Sequence, residues 1–331
     1  MRRNRVAGAA AACDETGKQE MTVPAVPRLT PASTALLCAL AAVWGGSFFF
    51  AEIALQEVPP LTIALHRVFW ALPALFCLAL WQGIPLPRAP RVWAAYLVMG
   101  ALNNAIPFSL IFWGQQWLQS GTASILNGTT AVFGAAAAGL LLRDEPLTPN
   151  KAAGALLGLA GVAVIMGPAA LNALDLRSLA QLAVLGAALS YALASVWGKT
   201  VLAGQPPMMN ALGMVAGSTF LMAPAVLLLE GVPQMALPAS VWGALAGLAL
   251  LSTALAYLLY FAILRRAGAA NLMLVTLLIP PVAIALGALF LGEKLPPSAF
   301  AGFAVIALGL MVSDGRLLQA GRKKGAFGKA P

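Results

Sequence analysis

The chain has 331 residues, of which 60% are hydrophobic and only 9% charged, and its mean hydropathy is +0.86. A soluble globular protein carries roughly 25% charged residues, so this chain lacks the polar skin of a water-soluble enzyme. Its 20 Lys and Arg against 11 Asp and Glu give a net charge of +9, but they gather in the tails and short connections; no basic folded surface tracks phosphates, which excludes a nucleic-acid partner.

Residues 1–30 read as a disordered basic tail. Arg2, Arg3 and Arg5 followed by Val6 to Ala12 imitate a signal peptide, but the apolar run is short and meets Asp14, Glu15 and Lys18. Met21 serves as a start as well as Met1. Ten apolar runs follow, at about 34–54, 60–81, 92–113, 122–142, 151–168, 180–202, 209–229, 240–263, 269–292 and 298–313. A bilayer core of about 30 Å needs roughly 20 apolar residues per helix, and lipid leaves an open chain no other way to satisfy its backbone. The expected fold is therefore an all-α polytopic membrane protein with ten transmembrane helices, ending in a second basic tail at 314–331. Cys13, Cys38 and Cys77 show no paired spacing, so neither a disulfide framework nor a metal site is indicated.

Basic residues orient such a chain, because cytoplasmic connections carry the excess of Lys and Arg. With the N-terminus inside, the inner segments hold five, two, two, one, two and five of them, 17 in all. The outer segments hold only Arg177 and Lys294, and Arg67 lies within a helix. The expectation is a multi-pass protein of the cell (inner) membrane with both termini cytoplasmic.

The sequence also repeats. Glu145 and Glu293, Leu147 and Leu295, Pro149 and Pro297, Gly154 and Gly302, and Gly161 and Gly309 share one offset of 148. Upstream, Gly100 and Gly247, and Gly121 and Gly268, match at 147. That register sets Trp44 opposite Tyr191 and Glu52 opposite Lys199. Two five-helix units result, at 34–168 and 180–313. Five is odd, so the second enters the bilayer upside down, an inverted repeat with a pseudo-two-fold axis in the membrane plane.

Trp44-Gly-Gly-Ser-Phe-Phe in the first helix, Pro59-Pro60 followed by Arg67 in the second, and the Glu-x-Leu turns at Glu145 and Glu293 resemble the EamA family of the drug/metabolite transporter superfamily. The resemblance covers about residues 34–313. It implies a ten-helix exporter of amino acids or other small metabolites, with helices three, four, eight and nine around a central cavity.

Within those helices several polar residues stand near mid-span. Asn103 and Asn104 precede Pro107, whose missing N–H leaves the carbonyl of Asn103 without its usual partner. Pro280 and Pro281 do the same for Thr276 and Leu277. Asn127, Thr129 and Thr130 lie on helix four; Ser252, Thr253, Tyr257 and Tyr260 lie on helix eight. A carboxamide is expensive in lipid, so the asparagines point to a cavity, whereas Ser and Thr also bond their own helix or a neighbour, at about 0.6 kcal/mol each. Trp44 and Tyr191 either cap the cavity or pack. Arg67, about seven residues into helix two, and Glu52 sit near one end of their helices, where an ion pair is possible, either a staple or an outer gate; His66 is the lone histidine. Gly154 with Gly158, Gly243 with Gly247, and Ala135 to Ala138 make small-residue faces for close helix packing. Glu145 and Glu293 read as loop or helix-end carboxylates, near the starts of helices five and ten.

A secondary transporter of a small neutral or zwitterionic metabolite fits these features. No GxxxxGK[ST] loop is present to use ATP, and no acidic residue lies at mid-span to couple a proton. No cofactor is called for, and the oligomeric state is left open. The alternatives are an intramembrane enzyme, which would need HExxH, facing Asp residues or Ser with His, and a channel, which would need a filter; neither pattern is present.

Overall fold

The computed structural model describes residues 30–142, 148–166, 176–272 and 274–314. The N-terminal tail before Thr30, the turn carrying Glu145 and the C-terminal tail beyond Asp314 lie outside them. All regular structure among the described residues is helical. The helices are α1 (Pro31–Ala54), α2 (Pro60–Trp81), α3 (Pro90–Gly100), α4 (Ile106–Gln115), α5 (Ser120–Asn127), α6 (Thr130–Leu141), α7 (Pro149–Met166), α8 (Leu176–Val201), α9 (Pro207–Leu229), α10 (Ala239–Ala246), α11 (Ala256–Leu272), α12 (Val275–Phe290) and α13 (Pro297–Asp314). Six of them begin on proline, which wastes no hydrogen bond in a first turn and has φ preset for the helix. Thr30 caps α1 by accepting from the Ser33 N–H at 3.2 Å.

Two spans are joined through π-helical turns. Ala101–Ala105 links α3 to α4, and Gly247–Leu255 links α10 to α11. In the first, Pro107 has no N–H to give, and the Ile106 N–H reaches back five residues to the Ala101 carbonyl. The second contains no proline; there the Ala256 N–H bonds the Leu251 carbonyl. Counted across these turns, eight helices among the described residues are long and apolar enough to cross a membrane, and Val275–Phe290 and Pro297–Ser313 are shorter apolar helices. The sequence ends the eighth run at 263 and starts the ninth at 269. The helix instead runs to Gly268, where a positive φ of 76° with ψ 168° turns the chain inside α11. Helix α12 passes through Pro280 and Pro281 without a break.

The helices pack as a bundle whose outer surface is hydrocarbon: Trp81, Leu228 and Leu289 are strongly exposed, while Tyr96, Phe112, Met209, Leu245 and Leu248 are enclosed. An exposed apolar surface of that kind suits lipid tails. Centrally, α2 packs on α9 and the second π turn, α9 on α3, α1 on α12, and α8 on α4 and α6. The most extensive contact is peripheral, between α7 and α13. There a Cβ on Gly154 would come within 2.5 Å of the Gly309 carbonyl, and one on Gly161 within 2.8 Å of the Gly302 carbonyl. The two helices therefore run antiparallel with their backbones touching, as small residues permit in membranes. Gly158 closes on Val132 of α6, but Gly243, expected on a packing face, has nothing within 4 Å.

Candidate functional site

Arg67 is the only buried Lys or Arg among the described residues. From α2 its Nε donates to Thr253 Oγ1 at 3.1 Å and its Nη2 to the Ser252 carbonyl at 3.2 Å, in the middle of the Ala239–Gly268 span. The π register explains the second bond. An α-helix would direct the Ala256 N–H to Ser252; here it goes to Leu251, leaving the Ser252 oxygen available to Arg67. Thr253 Oγ1 in turn donates to Leu248 at 3.0 Å, and the guanidinium lies on the Phe108 ring, 3.9 Å from its centroid. Tyr191 and Tyr257 stand within electrostatic reach of it.

Beside this group the asparagines divide. Asn104 is fully enclosed, and its Nδ2 donates to the Met214 carbonyl at 3.3 Å and Ser218 Oγ at 3.2 Å, tying the first π turn to α9. Asn103 keeps accessible surface; its Nδ2 reaches Asn104 Oδ1 at 3.2 Å and Tyr257 Oη at 3.4 Å. Tyr191, Tyr257 and Tyr260 are half-buried within the bundle, on helices of the chain's second half. Trp44 packs against Tyr260 at 6.1 Å between centroids, and Ser252 Oγ donates to the Val43 carbonyl at 2.9 Å, so α1 packs against this group.

The other candidates are placed as follows. Thr130 donates to the Asn127 carbonyl of its own chain turn at 2.7 Å, whereas the buried Asn127 Oδ1 has no hydrogen-bond partner. Thr276 is half-buried on α12. The ion pair allowed between Glu52 and Arg67 is not formed, and these two do not meet His66. Arg67 turns inward to the π turn; Glu52 takes Gln115 Nε2 at 3.4 Å; His66 Nδ1 accepts from Trp70 Nε1 at 2.9 Å and faces Trp242. Successive residues on a helix diverge by about 100°, so His66 and Arg67 never shared a face.

At the end of the bundle that carries Glu52, two carboxylates cap helices from the opposite half. Glu230 accepts from the Leu61 and Thr62 N–H groups at 3.0 and 2.7 Å, and Glu293 from the Ser120 N–H at 2.8 Å and Gly121 N–H at 3.3 Å. Glu293 thus serves α5, not the helix that follows it, where the sequence reading sets it. Negative charge at these helix starts satisfies orphan N–H groups and the dipole. Glu52, Gln115, Glu293 and Leu291 border a cavity of about 460 Å³ at this end. Arg177 and Lys294 border a second one, of about 410 Å³.

Sequence reasoning passed over Phe108, Ser252 as an acceptor, Gln115, Met214, Ser218 and Glu230. Gln115-Gln116 at the end of an apolar run and Glu230 before Gly231 were visible as polar breaks; the remainder looked like ordinary span residues.

The EamA-like transporter family model matches residues 32–167 and 178–313. The chain is 26% identical over 273 residues to the uncharacterized transporter YoaV of Bacillus subtilis, covering 82% of this chain and 92% of that one. It is 28% identical over 283 residues to a protein of Salmonella typhimurium named probable amino-acid metabolite efflux pump, covering 82% and 91%. A solved crystal structure shares the fold with a TM-score of 0.61 at 19% identity, over 85% of this chain and 97% of that one. These likenesses are to transporters, not enzymes, and imply a multi-pass membrane protein that handles small-molecule solutes in lipid. Two matched segments that together take in nearly every described helix settle its kinship: the chain belongs to the EamA-like transporter family.

Proposed function

We propose that the protein is a secondary transporter, working as an exporter, of a small neutral or zwitterionic metabolite such as an amino acid, by alternating access around a central cavity. The carrying observation is the polar group of buried Arg67 and Thr253 with half-buried Asn103 and Tyr257, built where the π-turned spans of the two halves meet. Irregular backbone at membrane depth is tolerated where it lines a cavity, and π turns recur at functional sites. In this reading Trp44, Tyr191 and Asn103 border the solute; Asn127, Thr130 and Thr276 on the flanking helices form its wall, and Asn104 braces it. The name of the Salmonella relative supports both the solute class and the outward direction.

The architecture that goes with this reading is ten spans in two inverted five-helix units, 34–168 and 180–313, between cytoplasmic tails at 1–30 and 314–331, in the inner membrane. Several features support it. The turn at Gly268 leaves residues 269 to 290, a span's length, free to form a ninth crossing, interrupted near Leu274 as the fourth is at Gly128 and Thr129. Glycines matched by the repeat meet crosswise, Gly154 on Gly309 and Gly161 on Gly302, the pattern of a two-fold contact. Arg177 and Lys294, the two basic residues assigned to the outside, stand at one end of the bundle beside a common cavity. Counterflow of radiolabelled amino acids in sealed vesicles tests the function: solute-dependent exchange is expected, and chemical conversion of the solute, or none exchanged across a full panel, overturns it.

A further inference from the structure

Arg67 poses a problem of charge. A guanidinium has five N–H donors in a rigid fork and stays protonated. Two of its donors go to neutral oxygens and its face rests on Phe108, but among the described residues no carboxylate pairs with it; Glu52, the nearest candidate by sequence, is engaged with Gln115. An unpaired cation near mid-membrane is costly and marks solute or ion pathways. Its surroundings also limit what completes it. The adjoining groups are amides, hydroxyls and aromatic rings, with no second buried Lys or Arg among the described residues. A phosphate carrying nearly two charges would be left undercompensated; a single carboxylate balances the site and matches the fork bidentately.

We propose that Arg67 is the anchor for the carboxylate of the transported solute, with Thr253 and Ser252 holding the guanidinium in place and Asn103 with Tyr257 beside the rest of the molecule. This rests on the transporter reading and adds the chemical group the solute must carry. Loading gives the buried guanidinium a carboxylate partner that the empty carrier lacks, so the loaded carrier reorients more readily than the empty one, and exchange outruns net efflux.

The test uses full-length protein with leucine and phenylalanine as probes, each compared with its carboxamide, in two readouts: binding in detergent by calorimetry and counterflow in proteoliposomes. Wild type is expected to prefer the free acid at least about tenfold in both. Arg67→Gln removes that preference, and Arg67→Lys, which keeps the charge but not the fork, weakens acid binding by about tenfold. The acid-to-amide ratio does not depend on how much protein folds, and Arg67→Lys stands in if Arg67→Gln yields none. Acid preference that survives in Arg67→Gln, or amides handled as well as acids by wild type, overturns the proposal while leaving transport intact. Arg67-dependent acid binding without any flux upholds the anchor and sinks the transporter reading. Binding of neither probe in any form overturns both.

Discussion

The two π turns use one backbone device for different ends. Each releases a helix carbonyl to a side chain from another helix: Leu102 accepts Ser190 Oγ at 2.7 Å, and Ser252 accepts Arg67. In the first turn the donor is neutral and the register is enforced by Pro107. In the second the donor is charged and no proline enforces anything. The halves are therefore alike in backbone and unlike in chemistry. A site for an asymmetric solute needs that inequality, since two identical ends would recognise nothing with a head and a tail.

Replacing Arg67 by Met breaks the comparison most severely. Counterflow should fall by about two orders of magnitude, the scale of a lost bidentate charge pair worth about 3 kcal/mol. The thermal midpoint in detergent should not fall with it, because removing an unpaired buried charge offsets the lost bonds. A variant that unfolds readily but still exchanges solute would reverse the assignment. Next come the adjacent asparagines. Asn104→Ala strands the bonds to α9 and should cost about 1–3 kcal/mol in thermal unfolding, whereas Asn103→Ala should raise the KM for counterflow several-fold with stability nearly unchanged. Equal effects at both positions would erase the division between brace and lining. Smaller still is Ser190→Ala, expected to cost about 1 kcal/mol and leave flux within about twofold, because Pro107 keeps the first turn π-helical. Hydrogen exchange at residues 103–108 should stay as in wild type. Smallest is Ser109→Ala. Its hydroxyl bonds the Ala105 carbonyl of its own helix at 2.7 Å, so stability should move by less than about 0.5 kcal/mol.

Much of this was legible in the chain. The apolar runs declare their spans because lipid tolerates little else, and the offset of 148 declares the repeat. Pro107 announced a disturbed helix near Asn103, although not a π turn. The second π turn had no such herald, since Gly247–Leu255 holds neither proline nor charge. Arg67 stood out as a charge within a span, but its partners lie 185 and 186 residues away, and local sequence offered Glu52 instead. The cap on α5 likewise comes from Glu293, 173 residues distant. Periodicity reports which face of a helix is apolar; it does not report which neighbour that face meets.

The glycine seam has a further consequence. Gly154, Gly161, Gly302 and Gly309 bring α7 and α13 together at the rim, away from the polar centre. If the halves trade conformations about a two-fold axis, a contact in which each partner mirrors the other is unchanged by the trade. The seam then behaves as an axle, able to stay shut in both states while the central helices exchange their contacts around it.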